Sequence, residues 1–77
     1  MKRAVNVIVV EDEPNALEFL CMLLDDSAYD MKIVATATNV QDAIARIDRF
    51  KPDLVFLDIQ MPDGSGFDVI EKSTFKD

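Results

Sequence analysis

The chain predicts an α/β domain built on a parallel sheet, and three observations carry that reading. Its segments alternate in type, β-α-β-α-β-α, a pattern that joins parallel strands by right-handed crossovers and sets helices on both faces. The first strand segment, Ala4 to Val10, is dominated by β-branched residues, as expected of a strand buried on both sides. Two apolar runs, Val7 to Val10 and Leu54 to Leu57, each stop abruptly in acid: Glu11-Asp12-Glu13 after one, Asp58 after the other. In open α/β sheets, chemistry collects in the crevice beyond the carboxyl ends of the strands.

Each element follows from local chemistry. Pro14 suits a first helical turn, where its missing N–H would have no partner. The helix from Asn15 to Leu24 is apolar around most of its circumference, which predicts cover on more than one side; Asp25-Asp26-Ser27 ends it. Met31 to Ala37 alternates Ile33 and Ala35 against Lys32 and Thr36, and its Ala and Thr content predicts an edge or lightly packed strand. Asn39 is a favourable N-cap. Val40, Ala43, Ile44, Ile47 and Phe50 then keep helical spacing, with Gln41, Asp42, Arg46 and Arg49 outside. Lys51-Pro52-Asp53 ends that helix and starts the strand that delivers Asp58. A Met61-Pro62 turn and a Gly-Ser-Gly loop follow. Ser65-x-x-Asp68 reads as a capping box opening a third helix towards Thr74, with Phe67 and Ile70 inward.

Composition narrows the function classes. Seventy-seven residues hold one core, and a chain this short buries only about 60% of its unfolded surface. An apolar fraction of 49% is that of a globular chain. The net charge of −7 argues against nucleic-acid or anionic-membrane binding by this segment, which would need clustered Lys and Arg. Met1-Lys2-Arg3 has the charge of a leader's first residues, but the apolar run after it is short, broken by Asn6, and ends in acids. No stretch approaches the roughly 20 apolar residues of a membrane span. Cys21, the single cysteine, is expected as a buried free thiol, compatible with a reducing cytoplasm. Met22, Met31 and Met61 are read as packing residues.

The strongest functional signal is the acids at the two strand ends. If those strands are adjacent and parallel, Glu11, Asp12 and Asp58 converge in one pocket. Three converging carboxylates suit a divalent cation; without one, mutual repulsion raises the pKa of at least one of them. Ser65, between glycines, looks at first like part of a phosphate-cradling loop. Neither a P-loop lysine nor a base follows it, and a helix cap explains it better.

Three motifs together carry a resemblance: Val9-Val10-Glu11-Asp12-Glu13-Pro14, Lys51-Pro52-Asp53-Leu54-Val55-Phe56-Leu57-Asp58-Ile59-Gln60-Met61-Pro62, and Gly64-Ser65-Gly66-Phe67. Over residues 1–77 the chain resembles the receiver domain of two-component response regulators. The resemblance implies a flavodoxin-like, doubly wound parallel sheet, here reduced to β-α-β-α-β-α with strand order 2-1-3. It implies that Asp58 accepts a phosphoryl group from a sensor histidine kinase. It further implies that Mg²⁺, or Mn²⁺, is held by Asp12 and Asp58, by Glu11 directly or through water, and by the backbone carbonyl of Gln60. Such a donor set matches Mg²⁺, which takes hard oxygen ligands and keeps several waters. Met61-Pro62 and Gly66 would shape the loop that holds Gln60. The Leu57-Asp-Ile-Gln-Met-Pro and Asn39-Val-Gln-Asp-Ala wordings resemble receivers linked to LytTR-type DNA-binding domains.

The resemblance also sets out a departure. A complete receiver has five strands; the fourth ends in a Ser or Thr that reports phosphorylation, and the fifth in a Lys that pairs with the acyl phosphate. The chain stops at Asp77, before either, and Thr74, Lys72 and Lys76 cannot stand in. The expectation is therefore the N-terminal part of a receiver, impaired in phosphorylation and switching. The strand from Asp53 to Asp58 becomes a sheet edge, inviting a homo-oligomer through that region. Two alternatives are weighed: a dimerising half-receiver scaffold without signalling activity, and a phosphatase of the aspartyl-phosphate type. The latter generally wants a second acid two residues past the nucleophile, where this chain has Gln60.

Overall fold

The structure, a computed structural model, describes residues 4–25, 30–58 and 60–75. Three parallel strands, β1 (Val5–Val10), β2 (Met31–Ala37) and β3 (Leu54–Leu57), lie in the order β2-β1-β3. Helices α1 (Pro14–Asp25) and α2 (Val40–Phe50) make the two crossovers. Because β1 steps to β2 in one direction and β2 steps over β1 to β3 in the other, right-handed crossovers put α1 and α2 on opposite faces. A short hairpin that sequence reading left as turn and loop, β4 (Gln60–Met61) with β5 (Gly64–Ser65), precedes α3 (Gly66–Lys72).

Strand β1 is the centre of the molecule. Val7, Ile8, Val9 and Val10 are fully buried, and side chains along a strand alternate between faces. Ile8 and Val10 join Ala37, Val40, Ala43, Ile47, Met61 and Val69 in the main core cluster, with Val55 and Leu57 packed on its border. Val7 and Val9 therefore face the α1 side. Edge strand β2 pairs with β1 in register until a shift between Val7 and Ile8, where Ile33 and Ala35 are the successive partners. Val34 is thus left out of the ladder as a bulge, and the alternation expected along β2 breaks there.

Helix α2 carries matched ends. Asn39 accepts the Asp42 N–H at 2.8 Å, and Lys51 terminates the helix in the left-handed region (φ 47, ψ 63), donating its N–H to Ile47 at 2.8 Å. At α3, Ser65 N–H donates to Asp68 at 3.1 Å, the return bond of a capping box.

Several packing expectations are overturned. No residue of α1 is fully buried, and Phe19, Met22 and Leu23 are each more than half exposed: the helix rests on the sheet with one side, and among the described residues nothing covers the other. Met22 accordingly packs little, and Cys21 is half-buried, not buried. In α3 the inward residues are Gly66 and Val69, while Phe67 and Ile70 point out at 68% and 55% exposure. Val69 joins the core beneath α2, so Phe67 falls off that stripe and Ile70 is left at the open margin of the groove it lines with Ile47 and Val69. Phe50 is also exposed; it sits in the last turn of α2, beyond the core cluster, with the Arg49 guanidinium 5.4 Å from its ring centre. Asp26, Ser27, Ile59, Lys76, Asp77 and Met1-Lys2-Arg3, named in the sequence reading, lie outside the described residues.

Candidate functional site

The site forms because two neighbouring parallel strands end at the same level. Strand β3 pairs with β1 from Val7–Leu54 to Val10–Leu57, and the next amide, Asp58 N–H, donates to Val10 O at 3.0 Å. On the other side of β1, Glu11 N–H donates to Ala37 O at 3.0 Å. The sheet ladder thus fixes the backbone of Glu11 and Asp58 side by side. Asp53, at the opposite end of β3, helps set this register: its N–H donates to Asn6 O at 2.9 Å, and its carboxylate accepts Asn6 N–H at 2.9 Å.

Glu11, Asp12 and Asp58 each offer a carboxylate oxygen, and these oxygens lie within 4.8 Å of one another. Glu11 and Asp58 are half-buried and Asp12 is exposed. Beside them an open depression is lined by Val10, Glu11, Leu20, Phe56, Leu57 and Asp58, apolar on its walls and acidic at its rim. Partial burial holds the Glu11 carboxyl above its ordinary range, and the nearby Asp58 charge pushes the same way, against the hydrogen bond from Glu13 N–H. Gln60 is the fourth sequence-predicted position; its N–H donates to Asp58 Oδ1 at 3.4 Å, a long bond that keeps its backbone beside the cluster.

The donor chemistry fits a small hard cation. Carboxylate oxygens and a carbonyl are the ligands Mg²⁺ and Mn²⁺ take, and among the described residues no His or Cys joins the group.

Two acids near the site have roles that sequence reading missed. Glu13 caps α1: its carboxylate accepts the N–H groups of Asn15 at 3.1 Å and Ala16 at 2.9 Å. The acid-Pro-Asn order before an apolar run was a signal for this. Asp63 caps α2 from 23 residues away, accepting Val40 N–H at 2.7 Å and Gln41 N–H at 3.1 Å. Those bonds lower its carboxyl pKa, and no local pattern announces them.

Comparison with known proteins identifies the family. The response regulator receiver domain family matches residues 7–73. The transcriptional regulatory protein BtsR of Salmonella typhi is 41% identical over 66 residues, covering 86% of this chain and 27% of that protein. The sensory transduction protein LytT of Enterococcus faecalis is 44% identical over 69 residues, covering 90% and 28%. Among solved structures, the signal receiver domain of the response regulator NarL from Mycobacterium tuberculosis aligns at a TM-score of 0.82 and 29% identity, covering 88% of this chain and 54% of that one. The chain thus spans between a quarter and a third of those two regulators and about half of that receiver.

Proposed function

The chain belongs to the response regulator receiver domain family, with its flavodoxin-like fold, and from that premise we propose that Asp58 accepts a phosphoryl group from a sensor histidine kinase. Mg²⁺ or Mn²⁺ would be held by Glu11, Asp12, Asp58 and the Gln60 carbonyl. The observation that carries this reading is the convergence of three carboxylates within 4.8 Å at the ends of β1 and β3. Asp58 acts as a covalent nucleophile: its oxygen forms the new O–P bond as the donor's N–P bond breaks, and the leaving imidazole keeps the bonding pair. The cation, when bound, neutralises charge that spreads over the phosphoryl oxygens. The rigid β1–β3 ladder holds the attacking carboxylate in place, which removes much of the entropic barrier to a bimolecular step. In a signalling role of this kind the chain is a phosphoacceptor of the cytoplasm.

Mg²⁺ or Mn²⁺ titration followed by NMR tests the cation site. Shifts are expected at residues 11–13 and 58–62, and are lost in Asp12→Ala and Asp58→Ala; shifts confined elsewhere would remove the assignment. Incubation with a small phosphodonor and mass spectrometry should find one phosphoryl group, on Asp58. Modification at another residue would end the phosphoacceptor reading.

A second reading, self-association, is favoured by one observation. Among the described residues β3 pairs only with β1, and its Leu54, Val55, Phe56 and Leu57 are all half-buried. Such an edge templates pairing with another strand. Sedimentation at micromolar concentration should then show a dimer or larger species; a monomer would dismiss it.

A further inference from the structure

The start of α2 is held by two acceptors that belong to different parts of the chain. A helix leaves its first N–H groups without internal partners. Asn39 takes the Asp42 N–H from within the helix's own approach. Val40 and Gln41, the two amides before it, both go to Asp63. Asp63 sits in the two-residue turn of the β4–β5 hairpin, which the pair Met61–Gly64 closes, with Gln60–Ser65 the next pair out. The same hairpin meets α2 at a second point. Gly64 has φ +156, and a Cβ there would stand 3.1 Å from Val40 Cγ2 and 2.8 Å from Asp68 Oδ2. Met61, in β4, is buried in the core cluster. The hairpin is therefore clamped by its turn, its glycine and its methionine, and Gln60, at its open end, is exposed beside Asp58.

We propose that Asp63 is a positioning residue for the acidic site: by pinning the hairpin turn to the α2 N-terminus, it sets where the Gln60 backbone stands relative to Asp58. This inference rests on the reading above, in which the Gln60 carbonyl joins the cation's ligands. Partners behind a metal ligand typically contribute 10–100-fold to metal affinity, and Asp63 acts through the hairpin at that remove. Asn39 provides the control. It caps the same helix, but among the described residues its side chain hydrogen-bonds to Asp42 and not to the hairpin. Loss of either cap weakens α2; only loss of Asp63 frees the turn.

The test compares Asp63→Ala, Asp63→Asn and Asn39→Ala with the unsubstituted protein, by amide NMR with and without Mg²⁺ and by thermal unfolding. Asp63→Ala is expected to move the Asp58 and Gln60 amides in the metal-free protein and to weaken Mg²⁺ binding about tenfold. Asp63→Asn, which keeps one acceptor oxygen, should recover most of both. Asn39→Ala should lower the unfolding temperature while leaving the two amides and the Mg²⁺ affinity in place. Unmoved Asp58 and Gln60 amides in Asp63→Ala would overturn the inference, as would equal movement in Asn39→Ala. If the unsubstituted protein shows no response to Mg²⁺, the cation reading falls, and the metal-free amide shifts alone decide the role of Asp63.

Discussion

Helices α1 and α2 are nearly equal in length, 12 and 11 residues, and lie on opposite faces of one sheet, yet the more apolar of the two is the less buried. Helix α1 reads Pro-Asn-Ala-Leu-Glu-Phe-Leu-Cys-Met-Leu-Leu-Asp and buries no residue fully, whereas α2 carries five charged or amide side chains and buries Val40, Ala43 and Ile47. Two differences account for this. The apolar residues of α2 form one stripe, so a single sheet face covers them; those of α1 run round the helix, and one face cannot. Helix α2 also has α3 and the turn of the β4–β5 hairpin against it, while among the described residues α1 rests mainly on β1 and β2. Apolar content sets how much surface a helix offers for burial. Neighbours decide how much is taken.

The sharpest way to break this contrast is a truncation in the α2 stripe. Ile47 is 1% exposed within the main core, so Ile47→Ala should destabilise by about 2–5 kcal/mol, read from urea or thermal unfolding. A loss below about 1 kcal/mol would mean that the α2 face is loosely packed. Next in size is the cap: Asn39→Ala removes the acceptor for Asp42 N–H and should cost about 1 kcal/mol, with no change in the NMR signature of the α1 face.

The pH profile should separate the two faces by direction. Asp63 and Asp48 accept N–H bonds from Val40 and Gln41 and from Thr74, which hold both carboxyls below the ordinary 3.8. The unfolded chain then binds protons more readily, so the stability they contribute is present above 3.8 and is lost as pH falls below it. Glu11, raised from 4.5 by burial, has the opposite sign: its contribution weakens as pH rises past 4.5. On the α1 side, burial and the Asp25 charge raise Cys21 above 9.0, so the unfolded chain ionises first and stability falls as pH climbs past 9.0. Urea midpoints across pH should therefore drop at both ends. Asp48→Asn should flatten the acid limb and Cys21→Ala the alkaline one; an acid limb unchanged in Asp48→Asn would show that its bond to Thr74 does not persist in solution. The smallest effect belongs to α1 itself. Met22→Ala should change stability by no more than about 0.5 kcal/mol, and a larger loss would reveal a neighbour on the exposed side.

Much of the site was legible from residues alone. The β-branched run Val7 to Val10 marks a strand buried on both faces, and an acid directly after such a run has nowhere to go but the sheet's carboxyl edge. Because the apolar runs of β1 and β3 both end in acid and the two strands pair in parallel, Glu11, Asp12 and Asp58 meet. Asn39 as a cap, Pro14 at a first turn and the edge character of β2 are likewise local facts, fixed by φ preference, a missing N–H and side-chain volume. The covering of α1, the outward turn of Phe67 and Ile70, the bulge at Val34 and the Asp63 bonds to Val40 and Gln41 were decided only by tertiary structure. Each depends on which surface arrives from a distant part of the chain, and hydrophobic periodicity reports how much a segment can bury, not what will be there to bury it.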